Sequence, residues 1–572
     1  MNRARIAFFL FFASLFAAEH NDVTVERDVA MKTRDGVTLR ADIYRPKKDG
    51  KFPVLLERTP YNKGYGNSEF GLRAAAMGYV TIIQDVRGRF TSEGDWYPFK
   101  NESLDGYDTV EWAAALPYSN GKVGMYGASY VGATQMLAAI SSPPHLAGVF
   151  AIVTASNYHD GWTYQGGAFE QWFNESWTSG LVQDTLDRRV RESGNALKWI
   201  WKLPLTEYPF LDVPHAASLA PYFMDWTRHA DFDSYWKPWS IEDHYANFKV
   251  PAYSVGGWYD IFQGGTVRNY VGLKSRVRGQ RLMLGPWYHG PFNGQAGELN
   301  FGAPAKGDTD TETLRWYDHV LRGIDNGIER EKPVKIFVMG KNVWRSEDDW
   351  PLARARETRY YLHSNGGANT RTGDGVLSAS APRNENADKY TYDPANPAPT
   401  RGGGLCCDND HLPSGAFDQR TVEERRDVLA YTTAAFPADF EVTGPIGIEL
   451  YVSSSAVDTD FTAKLVDVWP NGFAQNLTDG ILRARYRNSH ATPELIKPGE
   501  IYKIHIDMWN TSDIFLAGHK LRVDISSSNF PRFDRNLNTG QNAGVSDQMV
   551  KAENVVYHDA QHPSALILPV VE

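Results

Sequence analysis

Cysteines are scarce in this sequence, and their scarcity excludes two classes of fold. Among 572 residues there are only two cysteines, Cys406 and Cys407, and they are adjacent. An adjacent pair cannot supply the disulfide framework of a small secreted domain, and its spacing indicates no metal site. Neighbouring Cα atoms lie about 3.8 Å apart, below the usual range for a bridge, so a strained vicinal disulfide and two free buried thiols both stay open.

Long apolar runs are also lacking, apart from one short run at the N-terminus. Arg3 and Arg5 precede the apolar stretch 6–16, and a pair of alanines follows it. This pattern is typical of an export signal and is too short to span a bilayer comfortably. A large side chain stands where the cleavage site prefers a small one, so an uncleaved membrane anchor remains an alternative. We expect 1–18 to be a bacterial signal peptide, and the mature chain to be periplasmic or secreted and free of the membrane.

The sequence has no strong excess of charge of either sign. Its formal net charge is -10. That value argues against a general polyanion binder, so we expect no nucleic-acid partner. Aromatic residues, in contrast, make up 13% of the chain. Rings supply large, stiff apolar walls that suit an organic acyl group, although β-rich packing explains their number equally well.

The hydrophobic pattern changes three times along the chain, with no short-period repeat. Buried strands alternate with helices in 19–157 and again in 246–333, which predicts a mostly parallel sheet with helices on both faces. Between them, 158–245 is rich in tryptophan and charge and has helical periodicity without clear strands, which predicts an inserted cap. From residue 334 the pattern alternates with a period of two, which predicts a β-sandwich or jelly roll over 334–572.

A strand, a tight turn and a helix meet at Ser129. A nucleophilic hydroxyl has to be lifted out of the sheet at such a turn, and the turn needs small neighbours, which Gly127 and Ala128 provide. The helix that follows directs N–H groups and a positive dipole end towards developing negative charge. The usual pattern is G-x-S-x-G, whereas Val131 occupies the second glycine position here. An ordinary strand–helix turn with a structural serine therefore remains an alternative.

A serine hydroxyl needs a base to remove its proton, and the base needs an acid to orient it. Of 15 histidines, His289 stands just beyond a predicted strand end. Asp260 follows another predicted strand and gives the chain order Ser, acid, His. Each has an ordinary explanation, a structural histidine or a solvated or helix-capping carboxylate. Together with Ser129 they predict a catalytic triad that attacks ester or amide carbonyls.

Linked motifs in a fixed order carry a resemblance to a known family. The sequence resembles the cocaine esterase-type hydrolases (the CocE/NonD family), which include α-amino acid ester hydrolases, glutaryl acylases and X-Pro dipeptidyl-peptidases. The resemblance covers nearly the whole mature chain. Its motifs are Arg58-Thr-Pro-Tyr61, 85–94, 127–132, 256–260, 285–289 and 415–420. The family's own turn is G-x-S-Y-x-G, so Gly132 stands where this pattern requires glycine.

The resemblance implies an α/β-hydrolase fold with an inserted helical cap and a C-terminal jelly roll. It also implies an oxyanion hole formed by the hydroxyl of Tyr61 and the backbone N–H of Tyr130. A phenol stays protonated at neutral pH and can donate, although a buried ring closing the strand is the alternative for Tyr61. The loop with Cys406 and Cys407 aligns with one that borders the acyl pocket, which makes the pair a candidate pocket wall.

Family members differ in the residues that face the acyl group. In the α-amino acid ester hydrolases two acids stand two and three residues after the triad aspartate. Phe262 and Gln263 occupy those positions here, which argues against a substrate with a free α-amine, because a buried ammonium needs a carboxylate. An apolar wall is left, with Phe262 and the cap residues Trp162, Trp172 and Trp177 as candidates. Each tryptophan could instead pack inside the cap.

The sequence therefore predicts a serine hydrolase that works through an acyl-enzyme, a carboxylesterase or acylase for small organic acyl groups, with no metal or organic cofactor. A dipeptidyl-peptidase or α-amino acid ester hydrolase is the alternative within the family. A non-catalytic jelly-roll binding protein is the alternative of another class. The substrate would be a small ester or amide, and a homo-oligomer is compatible with the sequence. The motif 85–94 carries no reactive group, and we expect Arg87 and Arg89 to form salt bridges there.

Overall fold

The computed structural model describes most of the chain after the N-terminal segment. The described residues are 21–64, 68–193, 220–544, 546 and 548–572. The predicted signal peptide lies outside them. None of the helices in the described part is long and apolar enough to cross a membrane.

A ten-stranded sheet organises the first 347 residues. Its strands are β1 (Val23–Lys32), β2 (Thr38–Pro46), β3 (Phe52–Thr59), β4 (Val80–Asp85), β5 (Ser119–Ala128), β6 (Leu146–Ile152), β9 (Ala252–Gly257), β10 (Arg281–Gly285), β13 (Val334–Val338) and β14 (Val343–Glu347). They lie in the order β1-β2-β4-β3-β5-β6-β9-β10-β13-β14. The pairs from β4 through β13 are parallel, and antiparallel pairs close both edges. The predicted, mostly parallel sheet is confirmed.

Helices cover both faces of this sheet. They are α1 (Ser68–Ala76), α2 (Glu102–Ala115), α3 (Tyr130–Ile140), α6 (Gln263–Leu273) and α7 (Thr309–Val320), whereas α4 (Gln171–Ser193) and α5 (Pro221–Arg228) belong to the inserted segment. Successive side chains of a strand point to opposite faces, so Leu56 packs with α2 and α3 while Leu55 packs with α1 and α7. Gly124 on β5 has no side chain because the ring of Tyr317 on α7 occupies that space; a Cβ there would lie 2.2 Å from the ring.

The segment 158–245 contains α4, α5 and the 3₁₀ turns Lys237–Trp239 and Glu242–Asn247, as its helical periodicity predicts. It also contains a hairpin that the sequence did not indicate, of strands β7 (Tyr164–Gln165) and β8 (Ala168–Phe169). Gly166 and Gly167 turn this hairpin with positive φ and press against the C-terminal domain. A Cβ on Gly166 would lie 1.9 Å from the carbonyl oxygen of Ile481, so only glycine fits.

The predicted boundary at residue 334 differs from the structure. Strands β13 and β14 complete the first sheet, because alternation with a period of two shows that a segment is a strand but not which sheet it joins. The C-terminal β-sandwich begins later, and the jelly-roll order of its strands stays a prediction. Its strands are β15 (Arg356–His363), β16 (Val376–Ser378), β17 (Asp388–Tyr392), β18 (Leu429–Thr432), β19 (Phe440–Ser454), β20 (Asp460–Val468), β21 (Ala474–Arg483), β22 (Tyr502–Phe515), β23 (Lys520–Ser526), β24 (Ala552–Tyr557) and β25 (Ala565–Val571).

Smaller elements connect these layers. Strands β11 (Gln295–Ala296) and β12 (Leu299–Asn300) form a short hairpin after β10, and 3₁₀ turns occupy Ala303–Ala305, Ile328–Arg330 and Ala484–Tyr486. The segment 365–404 carries the two strands β16 and β17.

Candidate active site

Ser129 occupies the sharp turn between β5 and α3. Its backbone has φ 62° and ψ -125°, a region that side-chain-bearing residues rarely adopt, and its N–H donates to the carbonyl of Ile152 at 2.9 Å. A Cβ on Gly127 would lie 2.4 Å from Val131, and one on Gly132 would lie 2.8 Å from Thr154. After the serine, a side chain would therefore collide with its neighbours at residue 132. This explains why Val131 is tolerated.

The structure brings His289 and Asp260 to this turn. Nε2 of His289 lies 2.9 Å from Oγ of Ser129, and Nδ1 of His289 lies 2.7 Å from Oδ1 of Asp260. The carboxylate of Asp260 is fully buried, and the imidazole is 13% exposed. A carboxylate can only accept, so it selects the tautomer with a proton on Nδ1 and leaves Nε2 free to accept the serine proton.

Two loops that cross closely fix this geometry. Asp260 follows β9 and His289 follows β10, and neighbouring parallel strands end at the same edge of the sheet. The N–H of Trp258 donates to the carbonyl of Gly285 at 2.9 Å. A Cβ on Gly257 would lie 2.1 Å from the carbonyl oxygen of Trp287, so glycine is required for the loops to approach.

Tyr61 places its hydroxyl beside the nucleophile. It stands just after β3, and its hydroxyl accepts from the indole N–H of Trp177 at 3.0 Å. Although 38% of the residue is exposed, burial of the hydroxyl raises the pKa of Tyr61 above its ordinary value, an effect that Trp177 and the nearby hydroxyl of Ser129 partly offset. The phenol therefore keeps its proton and can donate to a developing oxyanion.

The backbone and the side chain of Tyr130 both bear on the turn at Ser129. As the first residue of α3, its backbone N–H has no partner within the helix and lies next to Ser129. Its side chain, which the sequence did not implicate, is fully buried: the hydroxyl donates to Glu102 at 3.0 Å and accepts from the N–H of Phe99 at 2.8 Å. Glu102 also pairs with Arg58 at 2.8 Å. This network anchors the first turn of α3. No periodic signal could have revealed it, because the partners lie 28 to 44 residues apart.

Phe262 and Trp162, which the sequence predicts as walls of an acyl pocket, lie together beside the imidazole of His289. Their rings stack at 4.3 Å, and Phe262 meets the imidazole of His289 edge-on at 5.1 Å. The backbone N–H of Trp172 donates to the carbonyl of Pro531 at 3.1 Å, which ties the start of α4 to the C-terminal domain. The place of the Trp172 side chain in an acyl pocket stays a prediction.

Cys406 and Cys407 form a vicinal disulfide, with Cα atoms 3.7 Å apart. Cys406 is buried in the same apolar cluster as Phe262 and Trp162, whereas Cys407 is exposed. The loop closes on itself where Gly403 and Gly415 exchange two backbone hydrogen bonds, of 2.8 and 3.0 Å. Its Gly404 lies against the backbone of the acid: a Cβ there would be 3.2 Å from the carbonyl oxygen of Asp260. The pair thus stands at the edge of the triad.

The arginines of the motif 85–94 have different partners. Arg87 pairs with Asp35 and Asp105, as a structural salt bridge would. Arg89 is 1% exposed and reaches across to the cap, where it lies 3.5 Å from Asp184. Among the described residues, no group of three or more His, Cys, Asp or Glu is arranged to hold a metal ion.

Comparison with known proteins places these features in a family. Residues 35–291 match the model of the X-Pro dipeptidyl-peptidase (S15 family), and residues 326–567 match that of the X-Pro dipeptidyl-peptidase C-terminal non-catalytic domain. The chain is 39% identical to the cocaine esterase of Rhodococcus sp. (strain MB1 Bresler), with 96% of this chain and 99% of that protein covered.

Two solved structures resemble the chain over its length. An aminopeptidase from a marine sediment archaeon, Thaumarchaeota archaeon, has a TM-score of 0.81 at 26% identity, with 96% of this chain and 97% of that chain covered. An α-amino acid ester hydrolase has a TM-score of 0.79 at 25% identity, with 97% of both chains covered.

Proposed function

We propose that Ser129, Asp260 and His289 are the catalytic triad of this chain. The chain belongs to the cocaine esterase-like hydrolases of the S15 family and is a serine hydrolase acting on ester bonds, and this membership supports the proposal. The observation that carries the proposal is the continuous hydrogen-bond chain from the buried carboxylate through the imidazole to the serine hydroxyl, with links of 2.7 and 2.9 Å. A nucleophile bonded to a base that is itself oriented by an acid is the arrangement that activates a hydroxyl.

Acylation begins when Nε2 of His289 takes the proton of Ser129 as Oγ attacks the substrate carbonyl. The negative charge on the carbonyl oxygen is stabilised by the hydroxyl of Tyr61 and the backbone N–H of Tyr130. Asp260 stabilises the charged imidazolium without taking its proton. The imidazolium then protonates the leaving alcohol or amine, and an acyl-enzyme remains on Ser129.

Deacylation repeats the same steps with water. His289 removes a proton from the water, which attacks the acyl carbonyl, and the second oxyanion occupies the same pair of donors. Collapse of the intermediate returns the proton to Ser129 and releases the acid. Apart from the substrate and water, every step uses only side chains and backbone groups of this chain.

The substrate class we propose is a small carboxylic ester, or an amide of the acylase type, with an uncharged acyl group. The apolar wall of Phe262 and Trp162 supports this preference. At the next position Gln263 is committed elsewhere, since its amide donates to the carbonyl of Asn510 at 2.7 Å. Neither position offers a carboxylate for an α-ammonium group, which is why cleavage of Xaa-Pro peptides or amino-acid esters is the second choice.

A panel of substrates tests the proposal. We expect p-nitrophenyl esters of uncharged acids to be hydrolysed fastest, glutaryl amides more slowly, and amino-acid esters and Xaa-Pro anilides least. Ser129→Ala should abolish both hydrolysis and labelling by a fluorophosphonate. Labelling that is absent, or that is equal in Ser129→Ala, would support a non-catalytic binding protein instead. Preference for a free amine would favour the peptidase or amino ester hydrolase alternative.

We also propose that the protein is exported. The basic and apolar pattern of the first 18 residues supports this, and so does a vicinal disulfide, which persists in oxidising compartments. N-terminal sequencing of the mature protein from a periplasmic fraction should find residues 1–18 removed. Recovery of the full-length chain in the cytoplasm would contradict the proposal.

A further inference from the structure

The cap helix α4 reaches the oxyanion donor directly. The indole N–H of Trp177, on the second turn of this helix, lies 3.0 Å from the hydroxyl oxygen of Tyr61. An indole nitrogen can only donate, so the phenol oxygen must be the acceptor in this bond. The proton of Tyr61 is therefore not used by Trp177 and remains free to be donated in another direction.

The remaining direction is the one that catalysis needs. The hydroxyl of Ser129 lies close enough to that of Tyr61 to oppose the rise in its pKa, and the ring of Tyr130, the residue after Ser129, stacks on Trp177 at 5.8 Å. The substrate carbonyl that Ser129 attacks would therefore come within reach of the free phenol proton. A hydrogen bond accepted by a hydroxyl also strengthens the bond that it donates, because the two bonds polarise each other. Trp177 thus both directs the donor and strengthens it.

The indole itself is held rigidly. Trp177 is 5% exposed and lies among aromatic rings of several segments, with centroid distances of 5.7 to 6.4 Å. These rings belong to Trp96, Tyr130, Trp162, Phe173, Tyr222 and Trp226. Tight packing leaves the N–H one orientation.

Arg89 fixes the distance between the helix and the tyrosine. Its Nε donates to the carbonyl of Pro60, the residue before Tyr61, at 2.8 Å, and its Nη1 donates to the carbonyl of Leu181, one turn beyond Trp177, at 3.0 Å. One buried guanidinium therefore joins the backbone of the oxyanion donor to that of the cap helix. The rigid, planar fork of arginine suits this bridging role.

We propose that Trp177 is a positioning residue of the oxyanion hole, which acts by holding the hydroxyl of Tyr61 so that its proton points at the substrate carbonyl. Arg89 keeps the cap helix that carries Trp177 at the correct distance. The inference rests on the proposed function, because it assigns a role to a neighbour of the oxyanion donor. It makes the oxyanion hole a joint product of the hydrolase sheet and the cap.

A double-mutant cycle on the full-length enzyme tests the inference. Tyr61→Phe, Trp177→Phe and the double variant are compared with the unmodified enzyme on one p-nitrophenyl ester. We expect Trp177→Phe to lower kcat about five- to tenfold, the loss of one hydrogen bond, with KM changed less than twofold. In the Tyr61→Phe background the same substitution should lower kcat less than twofold, because there is no hydroxyl left to position.

Two further variants distinguish the effect of the indole N–H from the effect of the size of the ring. Replacing Trp177 by benzothienylalanine keeps the fused rings and removes only the donor, so it should reproduce the loss in kcat even if Trp177→Phe is poorly folded. The matched control is Trp316→Phe, a buried tryptophan of α7 that packs with Leu55 on the other face of the sheet; its loss should stay below twofold.

Losses that add in the double variant, or a benzothienylalanine enzyme with unchanged kcat, would overturn the inference. A change in KM alone would do the same, since it would mean that Trp177 acts only as a wall. The proposed function fails on different evidence, namely hydrolysis or fluorophosphonate labelling that survives Ser129→Ala. The two failures are therefore distinguishable.

Discussion

The N–H of Tyr259 donates to the carbonyl of Trp287 at 2.9 Å, and this bond joins the loop that carries Asp260 to the loop that carries His289. The relative position of Asp260 and His289 is thus set by the backbone. Side-chain substitution of the acid should change the charge and hydrogen-bonding pattern of the site while leaving its geometry in place.

Asp260→Asn should therefore act through the imidazole tautomer alone. The amide can donate to Nδ1, which would favour the tautomer with the proton on Nε2 and leave it unable to accept the proton of Ser129. We expect kcat to fall by about 10³- to 10⁴-fold with little change in KM. Steady-state hydrolysis of a p-nitrophenyl ester measures this, with the exposed Asp243→Asn as the control. A loss of less than tenfold would argue against Asp260 as the orienting acid.

Tyr61→Phe should remove one oxyanion donor and keep the nucleophile. We expect kcat/KM to fall about 10²- to 10³-fold. Burial raises the pKa of Tyr61, so in the unmodified enzyme the phenol stays protonated and should cause no loss of activity up to pH 9. A pH–rate profile checks this. The partly buried Tyr118, on another part of the surface, provides the control substitution to Phe. Unchanged kcat/KM in Tyr61→Phe would exclude the hydroxyl from the oxyanion hole.

Glu170, next to the start of the cap helix, should make stability depend on pH. Burial raises its pKa to about 8; Arg532 opposes the rise, while Asp479 and Asp160 add to it. The folded protein then keeps a proton that the unfolded chain releases near its ordinary value of 4.5. Stability is therefore lost as the pH rises from there to about 8, by roughly 2–4 kcal/mol.

Substitution isolates this contribution. Glu170→Gln should have little effect on Tm at pH 5 and should raise Tm at pH 9 by roughly 2–3 °C relative to the unmodified protein. Thermal unfolding followed by circular dichroism at several pH values provides the measurement. The exposed Glu175→Gln, on the same helix, should show no such trend. A difference in Tm that is constant between pH 5 and pH 9 would refute the assignment.

The cysteine pair should be oxidised in protein purified from an oxidising compartment. Unfolded without reductant, the chain should contain no titratable thiol, and after reduction it should contain two per chain. Because Gly404 of the same loop rests on the backbone of Asp260, we expect the variant with both cysteines replaced by serine to bind bulky acyl esters less tightly, with KM raised about two- to fivefold. Acetyl esters serve as the control substrate. Free thiols in the unreduced protein would contradict the bridge.

The sequence could predict the residues that the sheet itself brings together. Ser129, Asp260 and His289 each follow a parallel strand, and parallel strands end at one edge, so strand order and chain order suffice. The fold class, predicted from the alternation of strands and helices, and the family, predicted from linked motifs, are both confirmed. Phe262 was found because it stands at a fixed offset from the acid.

Contacts between the cap and the sheet could not be predicted. The bond from Trp177 to Tyr61 spans 116 residues, and the bond from Arg89 to Leu181 spans 92. Neither leaves a periodic trace, because both depend on how the cap packs against the sheet. The same limit applies to Trp172, whose backbone N–H donates to the carbonyl of Pro531 in the C-terminal domain.

The loop from Gly403 to Gly415 also affects whether the two halves of the chain can be exchanged separately. It lies against Asp260 on one side, and on the other its neighbour Ala416 accepts from the N–H of Glu298, nine residues beyond His289, at 2.8 Å. A fragment ending at Glu347 would keep all three triad residues and lose this brace. Replacing the second half alone would therefore also replace a loop that rests on Asp260, so we expect the two halves to be exchangeable only as a matched set.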